Sequence, residues 1–295
     1  MTAPRRVGTT FRISLRQHRL GEPFTALETL TRCCACASRA IALRWRHDLW
    51  RCADCGLVFR NPRPLQRDVI ASYDAGLTFA AWQAESAARA PLWQRRLDLL
   101  RRHCAGGRLL DVGTGDGAFA ALARAHFAVE ATEVSEAGAR WARQRGCTPR
   151  VGPLETLALP PQHYDAITLW HVLEHLPQPA QALHQLAASL APGGVLIVAV
   201  PNELGPLLRQ RLTPGRIDPL GRLGWGGEVH LCHFTPRSLR RLLGACGLRV
   251  VATGVDDVHL RRPLRTRVGL ALNRALHALL GVSLDRAQYA VCRRD

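Results

Sequence analysis

Two cysteine pairs carry the plainest chemistry in the chain. Cys33-x-x-Cys36 and Cys52-x-x-Cys55 are separated by fifteen residues. Four thiolates at this spacing suit one tetrahedral zinc ion, and so small a module depends on its metal to fold. Cys34 adds a thiol inside the first pair, but two intervening residues let Cys33 and Cys36 reach the same ion. The expected ligands are therefore Cys33, Cys36, Cys52 and Cys55, around a structural zinc. Gly56 suits the tight turn after Cys55. A redox dithiol fits less well, because neither pair sits at a strand–helix junction. Arg44, Arg46, Arg51, Trp45 and Trp50 could meet anions and rings, or form a solvated face with two packing aromatics.

The second candidate is "RLLDVGTGDGAFAALA", Arg108 to Ala123, where Gly113, Gly115 and Gly117 separate an apolar run from a helical one. Such a loop brings the backbone close to a ligand. Gly113-x-Gly115-x-x-Ala118 also satisfies a loose dinucleotide fingerprint, whereas no Gly-Lys-Ser/Thr follows to make a triphosphate loop. The acids decide. Asp111 ends the strand and Asp116 lies inside the loop, so a pyrophosphate would meet two carboxylates at short range. A sulfonium ligand with an ammonium and no phosphate is favoured instead. Glu133 ends the next strand, placed to accept hydrogen bonds from ribose hydroxyls. S-adenosylmethionine has that pattern of charges.

A third set is the histidines. In "LWHVLEHL" a strand ends and a turn begins, so His171 projects at the carboxyl edge of the sheet, where open α/β folds bind ligands. It is the first choice for a base or an acceptor-orienting group. Glu174 and His175 could fix the shape of the loop, or bind a metal with His171 if the turn is helical. His233, with His230, is second in line as base, against a capping role ahead of the next helix.

The elements that must position these groups follow from periodicity. From Arg108 onward short apolar runs alternate with helical ones, predicting a parallel sheet with helices on both faces. Residues 1–30 read as an arm, 31–64 as the zinc module and 65–105 as a helical lead-in with Pro91 in a first helical turn. Residues 106–295 read as the main α/β domain, with an insertion over the strand ends at about 201–233. "TPRSLRRLLGACG" has a threonine cap and a glycine stop. In Arg261–Leu280 the stripe Leu264, Val268, Ala271, Leu272, Ala275 and Leu279 is expected to pack on the domain. A membrane-surface helix is the other reading.

The 295 residues have 47% apolar content, enough for a sizeable core. The net charge of +17 comes from 40 basic residues, every one an arginine. Coding bias is one source of this; attraction to nucleic acid, anionic lipid or acidic substrate is another. No apolar run reaches the roughly 18 residues of a membrane span, and the N-terminus has no uninterrupted apolar core of a secretory signal. Ten cysteines without an export signal point to a reducing compartment, so a cytoplasmic location is expected.

"LLDVGTGDG", "ATEVS", "YDAITLWHVLEHLPQP", "LAPGGVLIVAVPN" and "HFTPRSLRRLLGACGLRVV" resemble, in order, the motifs of class I S-adenosylmethionine-dependent methyltransferases. The likeness is greatest to the Val-Leu-Glu-His branch of ubiquinone-type, sugar and natural-product enzymes. "CADCGLVFRNPRP" resembles the zinc ribbon ahead of some of them. The resemblance implies a doubly wound, Rossmann-like seven-stranded sheet with an antiparallel last strand, which "AQYAVCRR" would supply. It implies that Asp111, Gly113, Thr114, Gly115 and Gly117 surround the methionine part of the cofactor, with Trp170 also in contact. Glu133 would hold the ribose, Val134 would pack on the adenine, and Leu154 would stand where relatives often carry an Asp.

Ubiquinone-type relatives have a Glu at the place of His171, in a Glu-x-x-Glu-His cluster associated with a divalent metal. The departure here argues against a catalytic metal. The expected reaction is O-methylation of a small molecule, sugar or lipid-linked intermediate. One rival is an RNA methyltransferase gripping nucleic acid with the ribbon and basic surface. Against it, no Asn/Asp-Pro-Pro-Tyr follows the fourth strand and no candidate stands out for a cytosine-attacking cysteine. The others are a non-catalytic scaffold, and a dinucleotide oxidoreductase, which Asp111 and Asp116 disfavour.

Overall fold

The computed structural model describes residues 26–45, 49–74, 84–205, 230–258, 264–280 and 283–294. Most of the expected arm and residues 206–229 of the expected insertion lie outside the described residues, as does Arg46.

In the cysteine module β1 (Leu27–Glu28) pairs antiparallel with β5 (Arg63–Pro64), while β2 (Ile41–Trp45), β3 (Leu49–Cys52) and β4 (Val58–Arg60) form an antiparallel meander. The two Cys-x-x-Cys turns are built alike. Ala37 and Gly56, each following the second cysteine of its pair, have φ of +57° and +78°. Each donates its N–H to the carbonyl of the first cysteine, Ala37 to Cys33 at 2.9 Å and Gly56 to Cys52 at 3.2 Å. Glycine takes that conformation without strain. At Ala37 it costs on the order of 1 kcal/mol, which the rest of the turn must offset.

Two helices follow, α1 (Gln66–Asp74) and α2 (Ser86–His103). Pro91 lies inside α2 rather than in its first turn. The preceding "SAARA" is made of residues that tolerate or favour helix and extends it forward, and Arg145 donates to Ser86 Oγ at 3.1 Å. Leu97 and Leu100 of α2 are buried on one face.

The main domain then alternates strand and helix. β6 (Arg108–Val112), α3 (Ala118–Ala123), β7 (Ala128–Glu133), α4 (Glu136–Gln144) and β8 (Arg150–Val151) form one half. β9 (Tyr164–Trp170), α5 (Pro179–Ser189), β10 (Leu190–Pro201), β11 (Cys232–His233), α6 (Pro236–Ala245), β12 (Leu248–Val255), α7 (Leu264–Leu280) and β13 (Ala287–Arg294) complete the chain. The seven-stranded sheet runs β12-β13-β10-β9-β6-β7-β8, and β13 is antiparallel to both β10 and β12, as expected. Leu109, Leu110, Ala166, Ile167, Leu196 and Ile197 of the central strands are completely buried, because helices cover both faces. The chain winds outward from β6 to β8 and returns to β9, which makes the β6–β9 boundary the switch point where such sheets open a cleft.

β11 does not join that sheet. It pairs with β4 (Cys232 opposite Phe59, His233 opposite Val58) and completes a four-stranded sheet in the cysteine module. The expected boundary at residue 64 is thus crossed by main-chain hydrogen bonds. It is also crossed by one hydrophobic core that holds Leu57 and Phe59 together with Phe234, Leu239 and Leu183. The apolar stripe of α7 departs from expectation: Val268, Leu272 and Leu279 face outward, 50%, 66% and 81% exposed, and Leu270 packs inward instead.

Candidate functional site

Gly113, Gly115 and Gly117 all have positive φ, 66°, 59° and 74°. At Gly113 a Cβ would come within 2.6 Å of Val172 Cγ2, so the loop packs directly on the chain leaving β9. Only glycine satisfies both conditions. The loop is drawn onto the neighbouring strand: Thr114 N–H donates to the Thr132 carbonyl at 2.9 Å and Gly115 N–H to Glu133 Oε2 at 2.7 Å. Glu133 Oε1 accepts from Val134 and Ser135 N–H at 3.0 and 3.1 Å. One lone pair of Oε2 remains for a ligand hydroxyl.

Asp111 sits beneath the loop, 2% exposed, and accepts from Thr168 Oγ1 at 2.8 Å. Burial raises Asp111 to about 6 and Glu133 to about 7. Two poorly solvated carboxylates under a cleft favour a cation and oppose a phosphate. Asp116, counted in the sequence reading as a second acid facing the ligand, has another task. It caps α3 through Ala118 N–H at 3.1 Å and pairs with Arg145 at 3.3 Å.

The cleft opens to solvent and has a cavity volume of about 120 Å³. Gly113, Gly115, Glu133, Val134, Pro153 and Leu154 form one side, and Val69, Ile70 and Tyr73 of α1 face them. His171, Val172 and His175 line it as well. Helix α1 is fastened by Asp74, whose Oδ1 accepts from Ser135 Oγ at 2.8 Å and Ala137 N–H at 3.2 Å at the start of α4. The contribution of α1 was missed from sequence. Its apolar Val69, Ile70 and Tyr73 were the available signal, but nothing local told which surface they cover.

His171 has φ of +59°, an uncommon conformation for a non-glycine residue, and its N–H donates to the Ala199 carbonyl at 2.9 Å. Both ring nitrogens meet carboxylates, Nε2 with Asp256 Oδ2 at 2.9 Å and Nδ1 with Glu174 Oε1 at 3.3 Å. Burial works against charge on this imidazole, but the Asp256 and Glu174 contacts outweigh it and raise it to about 9. Asp256 also takes Arg96 in a two-point contact, at 2.6 and 3.3 Å. Burial opposes ionisation of Asp256, yet Arg96 and His171 hold it below the usual carboxylate range. The Arg96 guanidinium lies 4.9 Å from the ring centres of both Trp93 and Trp170. An imidazole held between two carboxylates is suited, as a cation, to orienting a ligand. Arg96 and Asp256, far apart in sequence, gave no local sign of the pairing.

His175 Nδ1 lies 3.0 Å from the Tyr73 hydroxyl, at the cleft. His230 stacks edge-on against His175, and burial followed by the neighbouring His175 and His233 pushes it well below the ordinary imidazole value. Glu174, His175 and His230 each bring one ligand atom within 4.8 Å of the others, a set able to hold a cation. His233 is 2% exposed and meets Glu203 at 3.4 Å, away from the cleft-lining residues. Its ring lies 6.4 Å from that of His230.

Gly113, Gly115, Glu133, Val134, Leu154 and His171 line the cleft. Asp111, Thr114 and Gly117 are not among the residues that line it. Trp170 is not among the cleft-lining residues: its ring lies in the core with Ala166, on the face of β9 that also carries Thr168, and edge-on to Phe119 at 5.3 Å.

The four cysteines converge. Cys33 and Cys55 Sγ are 3.6 Å apart, as are Cys36 and Cys52, and all four sulfurs lie within 4.8 Å of one another. Sulfurs around a tetrahedral zinc stand about 3.8 Å apart, so the set fits that ion. Cys34 faces Cys232 instead, at 3.8 Å.

The family model described as a methyltransferase domain matches residues 84–253. A probable S-adenosylmethionine-dependent methyltransferase of Mycolicibacterium smegmatis is 31% identical over 169 residues, 55% of this chain and 61% of that protein. A ubiquinone biosynthesis O-methyltransferase of Xylella fastidiosa is 33% identical over 159 residues, 50% of this chain and 63% of its own length. The match therefore spans less than two thirds of either relative. Among solved structures, an S-adenosylmethionine-dependent methyltransferase of Thermotoga maritima aligns with a TM-score of 0.55 at 16% identity, over 77% of this chain and all of that one. Another, of Mesorhizobium loti, gives 0.51 at 20% identity over 70% and 100%. These two likenesses concern the fold.

Proposed function

This chain belongs to the methyltransferase domain family, and we propose that it transfers a methyl group from S-adenosylmethionine to a hydroxyl of a small molecule, sugar or lipid-linked intermediate. The observation that carries the reading is the cleft at the β6–β9 switch point. It has the Cβ-free Gly113 and Gly115 on one side, a carboxylate with a spare lone pair beside them, and apolar residues beyond.

When bound, the sulfonium supplies an activated methyl carbon. The chain's own residues bind and orient. Glu133 accepts a ribose hydroxyl, Val134, Pro153, Leu154 and Ile70 bury the base, and Asp111 supplies negative charge beneath the loop. His171, held as an imidazolium between Asp256 and Glu174, fixes the acceptor side of the cleft. The acceptor hydroxyl gives its proton to the Tyr73 oxygen as Tyr73 passes its own to His175 Nδ1, 3.0 Å away. Cys33, Cys36, Cys52 and Cys55 hold a structural zinc. The O-methyltransferase names among the relatives support a hydroxyl as acceptor.

The test is calorimetric titration with S-adenosylhomocysteine, using NADH and NADPH as controls. Micromolar binding of the homocysteine compound alone is expected, with Glu133→Ala weakening it at least about tenfold. Nicotinamide binding, or unchanged affinity in the variant, overturns the assignment.

A further inference from the structure

Helix α7 is amphipathic the wrong way round. Its inward face carries Leu270 with two polar residues that are satisfied there. His277 Nε2 lies 2.9 Å from the Thr253 carbonyl, and Asn273 Oδ1 accepts from Leu284 N–H at 3.0 Å. Its outward face carries Val268, Leu272 and Leu279, spaced i, i+4 and i+11, with Ala271 and Ala275 exposed between them. Leu280 and Leu284, near its C-terminal end, are also 69% and 47% exposed. A contiguous apolar stripe along a helix about 25 Å long marks a surface that something covers.

Charge identifies the occupant. Between Val258 and Leu284 the chain has five arginines and no carboxylate. Arg267 is exposed on one margin of the stripe, about 100° round the helix from it, and beside it Arg274 is 55% exposed while also reaching the buried Asp257 at 3.7 Å. A second copy of this face would set arginine against arginine across the contact. An anionic bilayer surface satisfies both the apolar stripe and its basic margin. We propose that α7 seats the protein on membranes containing anionic phospholipid, lying in the plane of the interface with Leu272 and Leu279 among the acyl chains. No described helix is long and apolar enough to cross a membrane, so the contact is peripheral. It is independent of the methyl-transfer reading.

The experiment is co-sedimentation of the full chain with vesicles of phosphatidylcholine, with and without about one third phosphatidylglycerol. Binding to the anionic vesicles alone, weakened by salt, is expected. The double variant Leu272→Glu, Leu279→Glu should lower partitioning at least about tenfold without moving the unfolding midpoint, since both side chains are mostly in solvent. If that variant is destabilised, Leu272→Gln gives the same comparison more gently. No binding to either vesicle, or equal binding by wild type and variants, overturns the proposal. So does a dimer in sedimentation velocity that the same substitutions disperse, because the stripe is then covered by a second copy.

Discussion

At the scale of single residues, the site is governed by carboxylates whose surroundings differ. Glu133 and Asp111 are poorly solvated and pushed up to about 7 and about 6, whereas Asp256, tied to Arg96 and His171, is held low. A protonated Glu133 no longer accepts a ribose hydroxyl with full strength. Affinity for S-adenosylhomocysteine should therefore fall as pH drops through 7 toward 6, and proton release should accompany binding in that window. Stability of the ligand-free chain runs the other way. A carboxyl raised by folding binds protons that the unfolded chain has lost, so this contribution declines as pH rises from about 4.5 to about 7. Calorimetry at several pH values, with Glu133→Gln as the comparison, checks the first trend; a profile that the substitution leaves unchanged assigns the proton elsewhere. Glu133 itself was legible from its place at a strand end. The partner Asp256 of His171 was not, since it is 85 residues away.

At the scale of elements, the glycine loop and the end of β7 were readable because their chemistry is local: positive φ, a tight turn and a carboxylate one strand over. Helix α1 was readable as a helix only. Its function in the cleft depends on Asp74 reaching the first turn of α4, where it bonds Ser135 and Ala137. Asp74→Ala removes both contacts from an exposed joint between two helices. It should weaken S-adenosylhomocysteine binding about fivefold while leaving the unfolding midpoint nearly unchanged; a change in the midpoint without a change in affinity would make the joint purely structural. Pro91 shows the limit of local rules. Proline favours a first turn, but tertiary contacts around Ser86 carry α2 beyond it.

At the scale of the molecule, the cysteine module and the sheet domain share one core and one hydrogen-bond network. Arg60 N–H donates to the Leu231 carbonyl at 2.9 Å, Leu231 N–H to the Glu174 carbonyl at 2.8 Å, and Arg63 to the Pro177 carbonyl at 2.8 Å. Leu231 and Pro177 line the cleft. Disturbing the cysteine centre should therefore reach the cofactor site. Cys52→Ser should abolish the one zinc per chain expected from metal analysis, lower the unfolding midpoint by about 10 °C, and weaken S-adenosylhomocysteine binding. A midpoint shift with cofactor affinity intact would show that the two parts are packed together but not coupled.

From the sequence alone came the alternation of strand and helix, the antiparallel last strand, the glycine loop with Glu133, and the four cysteines. Each depends on periodicity or on spacing along a few residues, which the chain carries locally. Tertiary structure decided what contacts over long range determine. It joined β11 to the cysteine module and turned Trp170 into the core. It enclosed His171 between two carboxylates and left the apolar stripe of α7 facing outward. Periodicity says that a helix has two faces; which one is buried depends on the hydrogen bonds its neighbours can satisfy, and for α7 those lay with Asn273 and His277.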